Sequence, residues 1–588
     1  MSRMLFTTQV EKFGHRLGIL IRLMAFLAVF SLITEYGFYV SPEAVVWLHR
    51  LDFLIIAIFI FELFLKGLFH WSNPQFWRSH AIQVFLVGLL ALEFIFLKYI
   101  FYSTPVANLL DSINLVSLTK VYIVLAQIYL LLSLLVRAIQ AERSIALLKI
   151  TPAQLLVLSY LAVILIGTFL LILPRSQAQA GGVSILDALF TSTSAVCVTG
   201  LITVDTATVW TGLGKFFILV LFQIGGLGIM TYTVAFALLL GESLGMREKA
   251  LMQDILSVKA LGKIGRLLVT IIGVTFLAEM VGTAFLFSFW REEFGAIKAL
   301  AFSIFHAVSA FCNAGFSLFS ANLTESPSNA GVVISIALLI VLGGLGFTVL
   351  LEIFDPHRWT RLRKENRARF SLQTKIVIWF SLVLVIIGAM WIYLFEALPT
   401  RTAWNDGILH ATFQSITSRT AGFNTVDISN YHLPTQILLM IFMFVGASPG
   451  STGGGVKTVT VALIMISVWC TWRGRPHTEM GRRRLPEETI RNAFLIVVLY
   501  SAVVIGSTLV LAVTETAPLK AILFEELSAM GTVGLSLGLT PHLSPTGKCI
   551  IILSMLIGRI GLFAFLLVLG RRAIGAKYAY PEENVMLG

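Results

Sequence analysis

What this chain lacks is charge. Only 13% of its 588 residues are Asp, Glu, Lys or Arg, against 57% that are hydrophobic, a balance too apolar for a soluble globule. Cysteine is almost absent too, with four residues and no CxxC pair. That excludes a disulfide framework and gives metal or redox chemistry nothing to use. No HExxH and no clustered Asp or His motif occurs, so the motifs offer no support for an enzyme. The first residues, Met1-Ser-Arg-Met-Leu5, lack a short apolar stretch ending at a small-residue cleavage site, and no removable signal peptide is expected. A net charge of +12 would suggest nucleic acid in a soluble protein. In so apolar a chain the basic residues read better as cytoplasmic loop markers, and no nucleic-acid partner is expected.

What the chain has is long apolar runs, many of them reaching the roughly 20 residues that cross a bilayer core. Residues 1–150 form a first block, with spans near 17–38, 44–70, 81–102 and 113–138. Charges inside or beside these spans (Arg22, Asp52, Glu62, Lys66, Glu93, Asp111, Lys120) are expensive in lipid and should face one another within a bundle. Phe61-Glu-Leu-Phe-Leu-Lys66 and Phe76-Trp-Arg-Ser79 resemble the second and third helices of voltage-sensor domains. The fourth span, Val116 to Arg137, has Lys120 and then no basic residue before Arg137, so it lacks the gating arginines that would move through a field. A structural or assembly bundle is expected.

From Thr151 a unit of span, half-length helix, loop and span repeats four times, over 151–245, 246–355, 356–475 and 476–588. The half-helix segments are Asp187–Leu201, Phe305–Phe316, Phe413–Phe423 and Phe524–Leu535, and each carries one glycine: Gly200, Gly315, Gly422 and Gly534. In repeats one, two and four a phenylalanine lies ten positions before that glycine and a serine six before; in the third, Phe413 and Ser415 are nine and seven before. Leading spans are read near 153–173, 266–290, 374–396 and 493–513, and trailing spans near 210–240, 330–352, 434–470 (interrupted) and 547–570. Arginine and lysine crowd the joints at 358–369 and 473–484 and follow the last span at Arg571, Arg572 and Lys577. By the bias of such residues toward the cytoplasm, both termini lie inside and the half-helices dip in from outside.

Non-helical backbone survives at membrane depth only where protein buries it or water wets it. Four such segments about a pseudo-fourfold axis would aim carbonyl oxygens at one line, and carbonyl rings that replace a hydration shell are the basis of potassium-selective filters. The tetrapeptides are Cys197-Val198-Thr199-Gly200, Cys312-Asn313-Ala314-Gly315, Arg419-Thr420-Ala421-Gly422 and Gly531-Thr532-Val533-Gly534. One alone would be weak, since small residues in membrane helices usually mean close packing; four in equivalent places are not. The expected fold class is therefore an all-α membrane protein. Four helix/pore-helix/helix repeats would form one ion pore behind an N-terminal bundle of about four transmembrane helices.

The third trailing span is broken by a loop, residues 446–457, that reads Gly446-Ala-Ser-Pro449-Gly450-Ser-Thr-Gly453-Gly454-Gly455-Val-Lys457. Proline and this many glycines cannot stay helical, and a flexible plug inside the filter would block flow until displaced. A phosphate-binding P-loop is excluded because Val456 separates Gly455 from Lys457. Arg559, deep in an apolar span, is a functional candidate by default, as a barrier or as a clamp on the loop's carbonyls; Lys457 is similar. His306 and His410 are read as packing residues. Glu525 and Glu526 are read either as a means of concentrating cations or as support for the fourth half-helix.

Over about residues 151–588 the chain resembles the pore-forming subunits of the Trk/Ktr/HKT superfamily of potassium or sodium uptake proteins. The resemblance rests on the four glycines, on Gln223-Ile-Gly-Gly-Leu-Gly228 and Val341-Leu-Gly-Gly-Leu-Gly346, on the 446–457 loop and on Gly558-Arg-Ile-Gly561. It implies that the loop gates the pore with Arg559 beside it and that K+ is carried at the filter carbonyls with no covalently bound cofactor. It also implies a homodimer in membrane lipid and a cytoplasmic nucleotide-binding regulatory ring. In plant relatives serine at the first filter glycine accompanies sodium selectivity; Gly200 here favours potassium. The leading expectation is potassium uptake driven by the membrane potential of the cell membrane. Sodium-coupled or sodium-selective transport by the same superfamily is the alternative. A secondary transporter of another solute would show inverted or twofold repeats, which the fourfold parallel repeat argues against.

Overall fold

A computed structural model of the chain describes residues 23–24, 26–69, 84, 152–178, 182–228, 264–325, 329–354, 370–400, 403–481 and 483–562. The chain divides into two compact units. One holds the described parts of residues 1–149, 166–189 and 205–277, the other those of 150–165, 190–204 and 278–588. Apart from a small hairpin, Glu479–Met480 against Arg483–Arg484, the regular elements among the described residues are helical.

In the N-terminal block, α1 (Phe26–Gly37) and α2 (Pro42–Phe69) are described. Val84 apart, the spans expected near 81–102 and 113–138 lie outside the described residues, as do Arg22, Glu93, Asp111 and Lys120. Of the charges described there, Glu35 is paired, whereas both carboxylate oxygens of the buried Asp52, expected to face an opposite charge, are without a hydrogen bond. His49 Nε2 lies 2.8 Å from Glu35 Oε1, and Arg175 donates to the Glu35 carbonyl at 2.8 Å.

Repeat one follows as α3 (Pro152–Ile172), α4 (Ile185–Val196) and α5 (Gly212–Leu227). Repeat two is α6 (Ile264–Phe294), α7 (Ala296–Cys312), α8 (Ala330–Gly344) and α9 (Phe347–Phe354). Repeat three is α10 (Leu372–Ile392), α11 (Trp404–Thr417), α12 (Leu433–Phe444) and α13 (Thr458–Trp472). Repeat four is α14 (Glu487–Thr514), α15 (Leu519–Gly531) and α16 (Pro545–Ile560). Among the described residues, four unbroken helices are long and apolar enough to cross a membrane, and they are the leading helices α3, α6, α10 and α14. No more than 28% of each span is buried, and their exposed faces carry side chains such as Leu165, Met280, Trp379 and Val498. Such surfaces are at home in lipid and not in water: the chain is a multi-pass, all-α membrane protein.

The half-helices α4, α7, α11 and α15 have 12, 17, 14 and 13 residues, too short for the roughly 20 needed to span. The C-terminal halves of α4, α7 and α15 are enclosed, as Phe524–Gly531 shows except for a trace at Leu527, while in α11 Thr412 and Ile416 stay half-buried. The trailing helices depart from expectation. The reading of 210–240, 330–352 and 547–570 as continuous spans does not hold. α5 ends at Leu227, α8 and α9 meet at 103°, and α16 ends at Ile560. The physical reason is the glycine at each break: Gly228, Gly346 and Gly561 take φ of 85°, 92° and 89°, a conformation that terminates a right-handed helix. The interruption foreseen only for repeat three thus has a counterpart in every repeat.

Candidate functional site

Each half-helix must turn its backbone out of the helix and back toward the side it came from. In repeats one, two and four it does so by one device. Val198, Asn313 and Thr532 take φ of 56°, 59° and 49°. Their N–H groups donate to the carbonyls of Ala195, Ala310 and Ala529, and the following N–H groups to Ser194, Ser309 and Ser528. This is the Schellman cap, in which the left-handed residue is usually glycine. A valine or threonine there is an outlier of the kind that surrounding structure must enforce. Sequence reading placed these residues in the filter tetrapeptides but not as caps, because the glycine it singled out in each repeat sits two positions later. The third repeat, out of phase in sequence, is out of phase in geometry. α11 is capped by Ser418 in a right-handed conformation, and Ser415 donates to the Val385 carbonyl of α10 at 3.0 Å.

The extended segments that follow meet one another. A side-chain carbon added to Gly200 would fall 2.5 Å from the Ala314 carbonyl oxygen, and one on Gly315 would fall 2.6 Å from that of Ala421. One on Gly422 would overlap the Val533 carbonyl, and one on Gly534 that of Thr199. Each glycine therefore abuts the residue before the glycine of the next repeat, and the fourth returns to the first. The four form a closed ring in which no side chain fits, with φ between 69° and 91°. The ring is braced from behind. Gly200 and Gly534 donate to the hydroxyls of Ser194 and Ser528 at 3.0 and 3.1 Å, and Ser309 donates to the Phe316 carbonyl at 2.9 Å. These are the serines six before the glycine.

Three before each glycine stand Cys197, Cys312, Arg419 and Gly531. The cysteines are buried and form no disulfide, and Gly531 lies against the Met443 carbonyl. Arg419 reaches Ser381 Oγ on α10 at 3.3 Å. His306 is enclosed and bonds the Phe302 carbonyl at 2.8 Å and Ser317 Oγ at 3.1 Å, and His410 bonds Thr425 at 2.9 Å. Glu525 is engaged by Ser536 and Thr540, and Glu526 by Ser554 at 2.8 Å. Both carboxylates are fully buried, which fits support of α15 and removes them from any role in gathering cations from solution.

Between α12 and α13 the chain forms the foreseen loop. Its neck is closed by Gly446 N–H to the Val456 carbonyl at 2.9 Å and Thr458 N–H to that of Ala447 at 3.1 Å. Its body rests on the break between α8 and α9: Ser448 and Thr452 N–H groups donate to the carbonyls of Gly344 and Gly343, and Phe347 N–H to that of Gly450 at 2.8 Å. A side chain at Gly343 would collide with the Phe311 carbonyl, and one at Gly346 would fall 2.6 Å from the Pro449 carbonyl. The second glycine-rich motif is thus the loop's seat. Arg559 donates to the Thr452 carbonyl, and Lys457 Nζ to that of Gly453 at 2.6 Å. The stretch Gly446-Ala-Ser-Pro-Gly450 also spells the hydrolase pattern GxSxG. It sits on no strand-to-helix turn, and the partner of Ser448 Oγ is the hydroxyl of Thr458, which donates to it at 3.3 Å, not a histidine base.

The family model described as cation transport protein, TrkH, matches residues 136–572. The chain is 34% identical over 447 residues to the potassium/sodium uptake protein NtpJ of Enterococcus hirae, a match covering 75% of this chain and 98% of that protein. It is 36% identical over 454 residues to the Ktr system potassium uptake protein B of Bacillus subtilis, covering 76% and 100%. Among solved structures, the potassium transporter TrkH from Vibrio parahaemolyticus matches with a TM-score of 0.59 at 18% identity, over 84% of this chain and 98% of that one. At that identity the likeness is one of fold.

Proposed function

Since this chain belongs to the TrkH family of cation transport proteins, we propose that it takes up potassium through a filter made by the four glycine segments and gated by the loop at 446–457. The observation that carries this reading is the closed ring: glycine in each repeat lies against a backbone carbonyl of the next, and the circuit closes on itself. Uncharged carbonyl oxygens are hard donors suited to an alkali cation, able to replace its water without binding it too tightly to leave. The membrane potential supplies the drive, about 2.3 kcal/mol per charge for each 100 mV. Arg559 and Lys457, donating to consecutive carbonyls of the loop, place positive charge under the ring and hold the loop there, which suits a closed gate.

The domain scheme fits the same reading: residues 151–588 as four pore repeats and 1–150 as an appended bundle, with the family match beginning at residue 136. We place both termini in the cytoplasm of the cell membrane on the strength of the basic joints at 358–369 and 473–484. A homodimer and a cytoplasmic nucleotide-binding ring belong to the proposal; a relative named as one lettered part of a Ktr system accords with a multi-subunit machine. Sodium as a second transported or coupling ion is the reading favoured by the name of the Enterococcus relative. The deciding experiment is rubidium uptake into liposomes containing the purified chain, held at a negative internal potential. Potassium should compete and sodium should not. Absence of uptake would refute the function, and equal competition by sodium would move it to the second reading.

A further inference from the structure

The loop is held beneath the ring by side chains that belong to the ring itself. Two positions before each glycine stand Val198, Asn313, Thr420 and Thr532. Three consecutive loop residues each meet a different one of them. Thr452 Oγ1 accepts from Asn313 Nδ2 at 2.9 Å and donates to the Phe311 carbonyl at 3.2 Å. A side-chain carbon on Gly453 would fall 2.6 Å from the Thr420 methyl. Gly454 N–H donates to Thr532 Oγ1 at 3.0 Å. Repeat one offers Val198, whose side chain has no hydrogen-bonding group. Asn313 and Thr532 are also two of the three residues forced into the left-handed conformation at the helix caps, so the strained turn that starts a ring segment is the turn that presents the latch.

We propose that Asn313 and Thr532 are gate-latching residues, whose hydrogen bonds to Thr452 and Gly454 stabilise the closed loop and couple its position to the geometry of the ring. The proposal rests on reading the ring as the filter and the loop as the gate. Asn313, Thr452 and Thr532 are fully buried, so each bond broken by loop displacement leaves polar groups that must find water in the opened path. Repeats two and four are diagonal in the ring, so the latch grips opposite quarters. Coupling between two such elements is reciprocal. Displacing the loop frees two of four ring segments, and whatever distorts those segments, a poorly fitting ion included, biases the loop toward release.

A purely structural role and a latch predict opposite signs. The test uses the full chain in liposomes and reads rubidium uptake together with its competition by sodium. Thr532→Val keeps the shape and removes the acceptor; Asn313→Ala and Thr452→Val break the second bond from either end. Each should raise uptake roughly two- to twelvefold, the span of one hydrogen bond's net contribution, and should make sodium a better competitor. Asn313→Ala should add nothing to Thr452→Val, which already removes the shared bond together with the one to the Phe311 carbonyl, whereas Thr532→Val should add to either. Thr532→Ser, which returns the hydroxyl, should bring uptake back toward the parent rate. Should Thr532→Val not fold, the Asn313 and Thr452 cycle decides. Unchanged or slower uptake in folded variants overturns the latch while a parent that takes up rubidium against sodium leaves the filter reading intact. A parent that carries no rubidium removes both.

Discussion

Gly315→Ser tests the ring most directly. Gly315 holds φ of 69°, where any residue with a Cβ loses about 1–2 kcal/mol. The new carbon would stand 2.6 Å from the Ala421 carbonyl oxygen and 3.2 Å from the Gly422 α-carbon, well inside the about 3.3–3.6 Å at which carbon and carbonyl oxygen ordinarily meet. Neither obstacle is a flexible side chain. Both are backbone of the next ring segment, so the ring can make room only by moving an oxygen that the proposed filter uses. Adding the about 1–3 kcal/mol typical of overpacking brings the perturbation to roughly 2–5 kcal/mol, and each 1.4 kcal/mol is about tenfold in an equilibrium. The discrimination between potassium and sodium should therefore fall at least about tenfold. The assay is rubidium uptake competed by each ion, together with growth of a potassium-uptake-deficient strain on limiting potassium. Gly506→Ala is the control. That glycine lies inside α14 with nothing within 4 Å of an added carbon, and alanine there gains about 1 kcal/mol of helix propensity. If folded Gly315→Ser, and likewise the serine variants of Gly200, Gly422 and Gly534, kept full discrimination and growth, the ring would not be the filter.

Deleting Gly446–Gly455 should raise rubidium uptake, since the segment lies between the ring and Arg559; an unchanged or slower rate in a folded deletion would count against a gate. Arg559→Gln removes the charged donor from the Thr452 carbonyl and should also raise uptake, with a parental rate refuting a clamp. Glu526→Ala leaves Ser554, now bonded at 2.8 Å to a buried carboxylate, without its acceptor. It should lower the stability of the detergent-solubilised chain by about 1–3 kcal/mol, and an unshifted thermal midpoint would show that Glu526 does not support α15.

The architecture was legible because it is written in periodicity and length. Runs of some twenty apolar residues mark α3, α6, α10 and α14, and runs too short to span mark the half-helices. The glycines were legible because they recur at spacings of 115, 107 and 112 residues. Even the serines six before them had a visible counterpart, and the displaced Ser415 foretold the different cap of α11. The left-handed caps were not legible. Val198 and Thr532 are residues that local preference keeps out of that conformation, so only the packed ring around them explains it. The breaks at Gly228, Gly346 and Gly561 were visible as glycine motifs but not as breaks, since small residues in membrane helices ordinarily serve close packing. What distinguishes them is tertiary: the α8–α9 corner exists where the loop comes to rest on it.

A ring built from four repeats of one chain need be symmetric only where the ring itself is made. At Gly200, Gly315, Gly422 and Gly534 the geometry is shared, because a single larger residue would push its neighbour's carbonyl. One layer behind, the quarters differ. Ser194 and Ser528 accept a glycine N–H, Ser309 donates to Phe316, and Ser415 turns to α10. One layer below, they differ again: asparagine and threonine bond the loop, a second threonine touches it through its methyl, and valine has no side-chain group that could bond it. Four identical subunits would present the same side chain at every quarter, and a single loop entering from one side could match only one of them. A single polypeptide can give each quarter its own residue, so one asymmetric loop, supplied once by repeat three, can fit beneath a fourfold ring.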